Sequence, residues 1–235
     1  MKIEVWSDVV CPFCYIGKRR LERALSDFAH SKEVDVEFKS FQLDSNAEKN
    51  TNQNIHEMLA NKYGVSYEKG KEMNESMAMQ AKEEGLDFHF DQVIPTNTED
   101  AHRLSQYAKQ QGKMYKFMER VMKAYFTEGK DVGEHQILAD LAEEVGLDKK
   151  ESLQVLAEGH YKGAVVGDQQ LAQQLGVQGV PFFVFNEKYA LSGAQPTESF
   201  KEVLEKVYEE EQNSPIQVLN PSSKTEYCDG DSCGE

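Results

Sequence analysis

The sequence predicts an α/β fold in which a block of helices interrupts a strand–helix–strand unit and its returning strands. Three observations predict it. Strand patterns at residues 2–7 and 34–41 flank a helical stretch that opens near residue 11. The block 49–159 then carries helical patterns and no strand signal. After it, the apolar run Phe182–Phe185 reads as a buried strand with a short partner.

In order, Ile3 and Val5 alternate with Lys2 and Glu4, a strand with one face inward. From Gly17 the period changes: Leu21, Ala24, Leu25, Phe28 and Ala29 share one face of a helix. Val34, Val36, Phe38 and Phe41, against Asp35, Glu37 and Lys39, give a second strand. A strand–helix–strand unit of this length has parallel strands and a right-handed crossover.

Residues 44–53 are polar and read as a linker. Helices then start at Ile55, Met58 and Leu59, and at Met73, Met77 and Ala81. Thr96-Asn97-Thr98, with Glu99 and Asp100 behind it, starts a helix that Ala101, Leu104 and Ala108 continue. Met114, Phe117, Met118, Val121, Met122, Tyr125 and Phe126 form the cleanest stripe. Ile137, Leu138, Leu141, Ala142 and Val145 form another, closed by Gly146. Met73, Met77 and Met79, like Met114, Met118 and Met122, are expected in the core, with a fraction free to line a peptide groove.

Tyr161 to Leu175 continues as helix and stops at Gly176. Asn186-Glu187-Lys188 turns the Phe182–Phe185 strand into Tyr189-Ala190-Leu191. Phe200, Val203, Leu204, Val207 and Tyr208 mark the last amphipathic helix. The expected organisation is therefore residues 1–48, a helical insertion at 49–159, a return to the first unit at 160–211, and a polar tail at 212–235.

Hydrophobic residues are 39 % of the 235 and charged residues 29 %, which suits a soluble globular protein. The formal charge of −15 argues against nucleic acid and against anionic membrane surfaces, both of which need a basic face. No basic start with an apolar core of about 7–15 residues precedes the first strand. No stretch reaches the roughly 20 apolar residues of a membrane span. The expected compartment is the cytoplasm. Thiols are kept reduced there, so cysteine pairs point to catalysis or metal rather than to scaffolding.

The four cysteines form two pairs, Cys11/Cys14 and Cys228/Cys233. At the start of a helix, Cys11 faces unpaired N–H groups and the positive end of the helix dipole, which favour thiolate. Pro12 has no N–H to waste and a φ preset for the first helical position. Cys14 lies one turn on, on the same face, and is expected to be the more buried sulfur. Cys11 is then the sulfur that attacks or is attacked, and Cys14 resolves the mixed disulfide. The competing readings are two inert buried cysteines, or half of a zinc site completed by Cys228 and Cys233. Zinc pairs usually sit on short knuckles about 15–20 residues apart, and these two pairs sit at opposite ends of the chain. For the tail pair an ordinary mobile tail competes with a second dithiol that exchanges with the first.

Pro181 stands just before a buried strand, where it can donate nothing to the ladder. Asp8-Val9-Val10-Cys11-Pro12-Phe13-Cys14-Tyr15-Ile16-Gly17-Lys18, Gly176 through Phe185 and Ser192-Gly193-Ala194-Gln195 together resemble the DsbA-like thioredoxin family, most of all its cytoplasmic FrnE branch. The resemblance spans residues 1–210. It implies a thioredoxin-like fold interrupted by an all-helical insertion domain, with Cys11 as nucleophile, Cys14 as resolving thiol and Pro181 as a cis proline packed against the pair. It also implies that the backbone of Val180 pairs with an extended substrate, and that Asn97-Thr98-Glu99-Asp100-Ala101-His102-Arg103-Leu104 starts a helix near the cleft. Pro12, Phe13, Val180, Trp6, Asn97 and His102 are the expected substrate-binding residues. Periplasmic relatives carry His between the cysteines; here it is Phe13. With a reducing compartment, that favours a disulfide reductase or isomerase over a strong oxidant.

The expected substrates are proteins or peptides with thiols or disulfides, with glutathione or a thioredoxin-type reductant as redox partner and no required cofactor. A glutathione-dependent isomerase or transferase on the same fold is the alternative; Cys14 would be dispensable there. A zinc-binding interaction protein is the third. His30, His56, His89, His102, His135 and His160 form no local cluster, so no metal site is readable. Of these, only His102, with Arg103 beside it, is a candidate for the cleft, and a solvated helix face is the favoured alternative for both. Trp6 ends the first strand beside the cysteines, so its fluorescence is expected to differ between redox states.

Overall fold

The computed structural model describes residues 1–49, 51 and 53–213, and the backbone alone of 227–228 and 233–234. Strands β1 (Lys2–Ser7), β2 (Asp35–Ser40), β3 (Phe182–Phe185) and β4 (Tyr189–Ser192) form a sheet in the order β2-β1-β3-β4. β1 and β2 are parallel; β1–β3 and β3–β4 are antiparallel. The register aligns Phe38, Val5, Phe183 and Leu191 in one row across the sheet. Side chains alternate along each strand, so the neighbouring row, Lys39, Trp6, Phe182 and Ser192, faces the other way.

Helix α1 (Pro12–Asp27) connects β1 to β2 and buries Cys14, Ile16, Leu21 and Ala24. Helix α9 (Thr197–Asn213) packs beside it, with Phe200 edge-on to Phe183 at 4.8 Å between ring centroids. On the other face, α8 (Lys162–Gln174) accepts the indole N–H of Trp6 at the Asp168 carbonyl, 2.9 Å away. Trp6, Ala172, Val177 and Val184 make a small core of their own there.

Between β2 and β3 run α2 (Ile55–Tyr63), α3 (Tyr67–Glu83), α4 (Glu99–Gln110), α5 (Met114–Phe126), α6 (His135–Glu144) and α7 (Lys149–Ala157). Their apolar residues join the sheet's main core, which runs from Ile3 through Phe117 to Leu156. Met114, Met118 and Met122 lie in it, whereas Met79 is 64 % exposed and belongs to no core. Helix α7 has no sequence expectation behind it, because Lys-Lys-Glu-Ser-Leu-Gln-Val-Leu-Ala carries too few apolar residues to show a period. At the start of α4, Thr98 makes no cap bond; Asn97 Oδ1 instead accepts the Glu99 N–H at 2.9 Å.

The hairpin turn has Asn186 and Glu187 both at positive φ, +47° and +55°, the pattern of a two-residue type I′ turn. Lys188 N–H closes it on the Phe185 carbonyl at 3.0 Å. In the tail, Tyr227–Cys228 pairs antiparallel with Cys233–Gly234, Cys228 opposite Cys233.

Candidate active site

The loop after β1 brings Cys11 to the N-cap of α1, with Pro12 at the first helical position. The N–H groups of Cys14 and Tyr15 close on the Cys11 carbonyl at 3.1 and 3.4 Å, which sets the tight first turn. The Cys11 thiol donates to the Val180 carbonyl at 3.7 Å. The Val180–Pro181 peptide bond is cis. Pro181 is buried, and its ring lies against Gly17 of α1. These contacts bring the motif at residues 11–14 and the segment at 180–181 together from opposite ends of the chain.

Both cysteines are free and buried, Cys11 at 4 % and Cys14 at 2 % exposure. Phe13 between them projects outward and is 44 % exposed. Burial pushes the Cys14 thiol up, and the neighbouring Cys11 adds to the rise. The Ser7 hydroxyl and the Asp8 main chain work the other way. Ser7 is fully buried and its hydroxyl has no nitrogen or oxygen partner among the described residues.

Asp8 lies directly under this turn. Its carbonyl accepts the Cys11 N–H at 3.2 Å. One carboxylate oxygen accepts the Leu43 N–H at 2.8 Å and the other meets His102 Nε2 at 3.2 Å. Sequence reasoning missed Ser7 and Asp8. Asp8 sits three residues before Cys11, but nothing in the sequence pairs it with a histidine of the helical block.

Four expected positions need correction. Trp6 is fully buried on the far face of the sheet, so it cannot line a substrate cleft. Asn97 has its amide engaged within the protein, donating to the Ser45 and Ala47 carbonyls and accepting from Glu99. It fastens the 44–49 segment to α4 and offers no free group to a ligand. His102 and Arg103 are 1 % and 4 % exposed, not on a solvated face. Arg103 donates to the carbonyls of Val155, Leu156 and His160 and to Asp100, so it caps the end of α7. Pro12, Phe13 and Val180 do border the sulfurs. The side chains of Cys228 and Cys233 lie outside the described residues.

Among the described residues, no group of three or more His, Cys, Asp or Glu side chains could hold a metal ion. Among them, too, no helix is long and apolar enough to cross a membrane.

The model of the DSBA-like thioredoxin domain matches residues 2–205. A probable DsbA oxidoreductase from Streptomyces coelicolor is 36 % identical, with a TM-score of 0.88 over 100 % of this chain and 99 % of that one. YwbO of Bacillus subtilis is 29 % identical over 214 residues, 89 % of this chain and 96 % of its own. The cytosolic disulfide reductase DsbM of Pseudomonas aeruginosa, whose structure with glutathione is known, is 16 % identical. Its TM-score is 0.62 over 89 % of this chain and 100 % of its own, a likeness of fold. The chain belongs to the DSBA-like thioredoxin family, a family of thioredoxin-fold oxidoreductases.

Proposed function

We propose that the protein catalyses thiol–disulfide exchange on protein or peptide substrates, with Cys11 as nucleophile and Cys14 as resolving thiol. One observation carries the reading: Cys11 caps α1 with its sulfur at the Val180 carbonyl, while Cys14 is held as a thiol behind it. An extended substrate reaching Cys11 passes Pro12, Phe13 and the Val180–Pro181 backbone. Attack of the Cys11 thiolate on a substrate disulfide forms a mixed disulfide and releases one substrate thiolate. Cys14 then displaces the second and closes the Cys11–Cys14 disulfide.

Phe13 in place of histidine, and a reducing cytoplasm as the compartment, favour the reductase or isomerase direction. The reductant is glutathione or a thioredoxin-type protein, with no metal or bound cofactor required. The motifs around Cys11 and Asn97 favour the FrnE branch, with residues 49–159 as the insertion domain and Cys228/Cys233 as a second dithiol.

A glutathione-dependent isomerase or transferase is the second reading, favoured by the glutathione complex of DsbM on the same fold. The variant Cys14→Ser decides between them. It accumulates mixed disulfides with protein substrates under the exchange reading. Full turnover without trapped adducts would support glutathione chemistry instead.

A further inference from the structure

We infer that His102 is a positioning residue for the resolving thiol: through its hydrogen bond to Asp8 it fixes the turn from which Cys14 attacks. The inference rests on the exchange reading above and concerns the same site.

Asp8 is the common anchor of both cysteines. Its carbonyl holds the Cys11 N–H at 3.2 Å, and the Cys11 carbonyl in turn holds the Cys14 N–H at 3.1 Å. Its carboxylate is 1 % exposed and has two holders, the Leu43 N–H at 2.8 Å and His102 Nε2 at 3.2 Å. A carboxylate taken out of water is costly unless hydrogen-bonded, so it stays where its donors hold it. Removing the imidazole leaves that carboxylate with one main-chain donor and a reason to move.

His102 is itself firmly placed. Its neighbour Arg103 is bonded to the carbonyls of Val155, Leu156 and His160, and Asp100 receives Lys49, Arg103 and His135. This imidazole is the helical block's hydrogen bond to the side chain of Asp8, the residue that anchors the dithiol turn. Around the pair, α1 presents Cys11 and Cys14, and α5 presents Tyr125, whose phenol burial holds protonated beside Asp8 and Asp131. Arg103, the nearest cation on α4, points away to α7. Among the described residues, neither the Asp8 carboxylate nor the His102 imidazole hydrogen-bonds a sulfur. His102 is 1 % exposed and cannot touch a protein substrate. Its influence passes through the Asp8 main chain.

The step it serves balances as follows. Cys14 gives up its proton and attacks the sulfur of Cys11. The Cys11–Cys14 bond forms, the bond from Cys11 to the substrate sulfur breaks, and that sulfur leaves with the electron pair and takes up a proton. Two protein thiols are oxidised to a disulfide, and one substrate disulfide is reduced to two thiols.

Dithiobis(nitrobenzoate) separates the two attacks. In a full-length Cys228→Ser/Cys233→Ser background, which removes the two tail thiols and in which all variants are compared, the reduced protein with a wild-type active site releases one nitrothiobenzoate when Cys11 reacts and a second when Cys14 resolves the adduct. His102→Leu should slow the second release by about tenfold or more and the first by less than about threefold, since small displacements of a reacting group are enough for that. His102→Gln keeps an N–H donor and should restore the second phase to within about threefold of wild type. Unchanged phases in His102→Leu, equal slowing of both, or no rescue by Gln would overturn the inference. If His102→Leu does not fold, Asp8→Asn takes its place: a slower second phase supports the assignment and an unchanged one defeats it. A wild-type active site with no second release would instead defeat the exchange reading itself.

Discussion

A methyl group built on Gly17 would lie 3.0 Å from Cγ of Pro181 and 3.1 Å from Cζ of Phe183. Helix α1 and the segment before β3 therefore meet at a residue with no side chain. Propensity alone would make Gly17→Ala stabilising by about 1 kcal/mol. Overpacking a buried contact costs about 1–3 kcal/mol, and here both neighbours are ring atoms within the fold. The expected net is a loss of about 1 kcal/mol, read from the urea midpoint. Pro181 must give way, so exchange at Cys11 should slow as well. A variant more stable than wild type would show that the rings relax freely.

The two sulfurs should differ in reactivity. Cys14 is held as a thiol by burial and by Cys11 beside it, and Cys11 stands at the open end of the helix. Of these two sulfurs, iodoacetamide on native reduced protein at neutral pH should therefore modify only Cys11, by peptide mass analysis. Cys14 should react only in the unfolded protein or well into alkaline pH. Equal labelling of both at neutral pH would contradict the burial argument.

The candidate site's motif was legible because its parts are local: a strand, a Cys-Pro-x-Cys helix start and an apolar strand behind a proline. What surrounds it was not. Helix α4 is buried at every residue from Asp100 to Ala108, including Asp100, His102, Arg103, Ser105 and Gln106. Polar residues of these types usually face water, so the period pointed them outward. Their partners lie far along the chain: Asp8 for His102, Ser40 and Asp168 for Gln106, the end of α7 for Arg103. A one-sided helical pattern carries no information about such contacts.

Trp6 shows the same limit with a measurable consequence. Its place in the sequence, five residues before Cys11, suggested a redox-sensitive emission. The strand alternates, however, so Ser7 shares the face of Val5 while Trp6 turns to the far face. Its indole is fully buried against Ala172, Val177 and Val184 and bonded to Asp168. The emission maximum and intensity should be the same in the dithiol and disulfide forms. A clear quench on oxidation would bring the indole to the dithiol's side of the sheet.

Phe13 is the exposed side chain of the motif, at 44 %. Covering half a phenylalanine in a complex is worth about 1 kcal/mol. Phe13→Ser should therefore lower kcat/KM for reduction of a protein disulfide such as insulin by about fivefold, since 1.4 kcal/mol is tenfold. The first phase with dithiobis(nitrobenzoate), which needs no protein contact, should be unchanged. A parallel loss on both substrates would trace the effect to the thiol rather than to docking.

The sheet and α1 are tied to their surroundings by carboxylates that must stay ionised. Lys18, 1 % exposed, holds Glu22 at 2.6 Å and Glu119 at 2.5 Å, and Arg19 bonds both. Burial would push the Glu119 carboxyl up, but the bonds from Arg19 and Lys18 outweigh it and bring it down to about 2. For Glu37 on β2, burial is likewise outweighed by Lys109, Lys39 and Lys2, and its carboxyl also falls to about 2. A glutamate in an unfolded chain titrates near about 4.3. The folded values lie below that, so this stabilisation is complete above about pH 5 and is lost as pH falls toward about 2. The Glu119 side chain keeps 31 % exposure, so solvent screening reduces its share to about 1–2 kcal/mol. Urea unfolding from about pH 6 down to about pH 3 should show stability falling, the acid limb that linkage requires. Glu119→Gln should begin about 1–2 kcal/mol lower at the upper pH and show a shallower limb, because the residue that titrates is gone. Identical limbs in the two proteins would mean that Glu119 contributes nothing to the acid dependence.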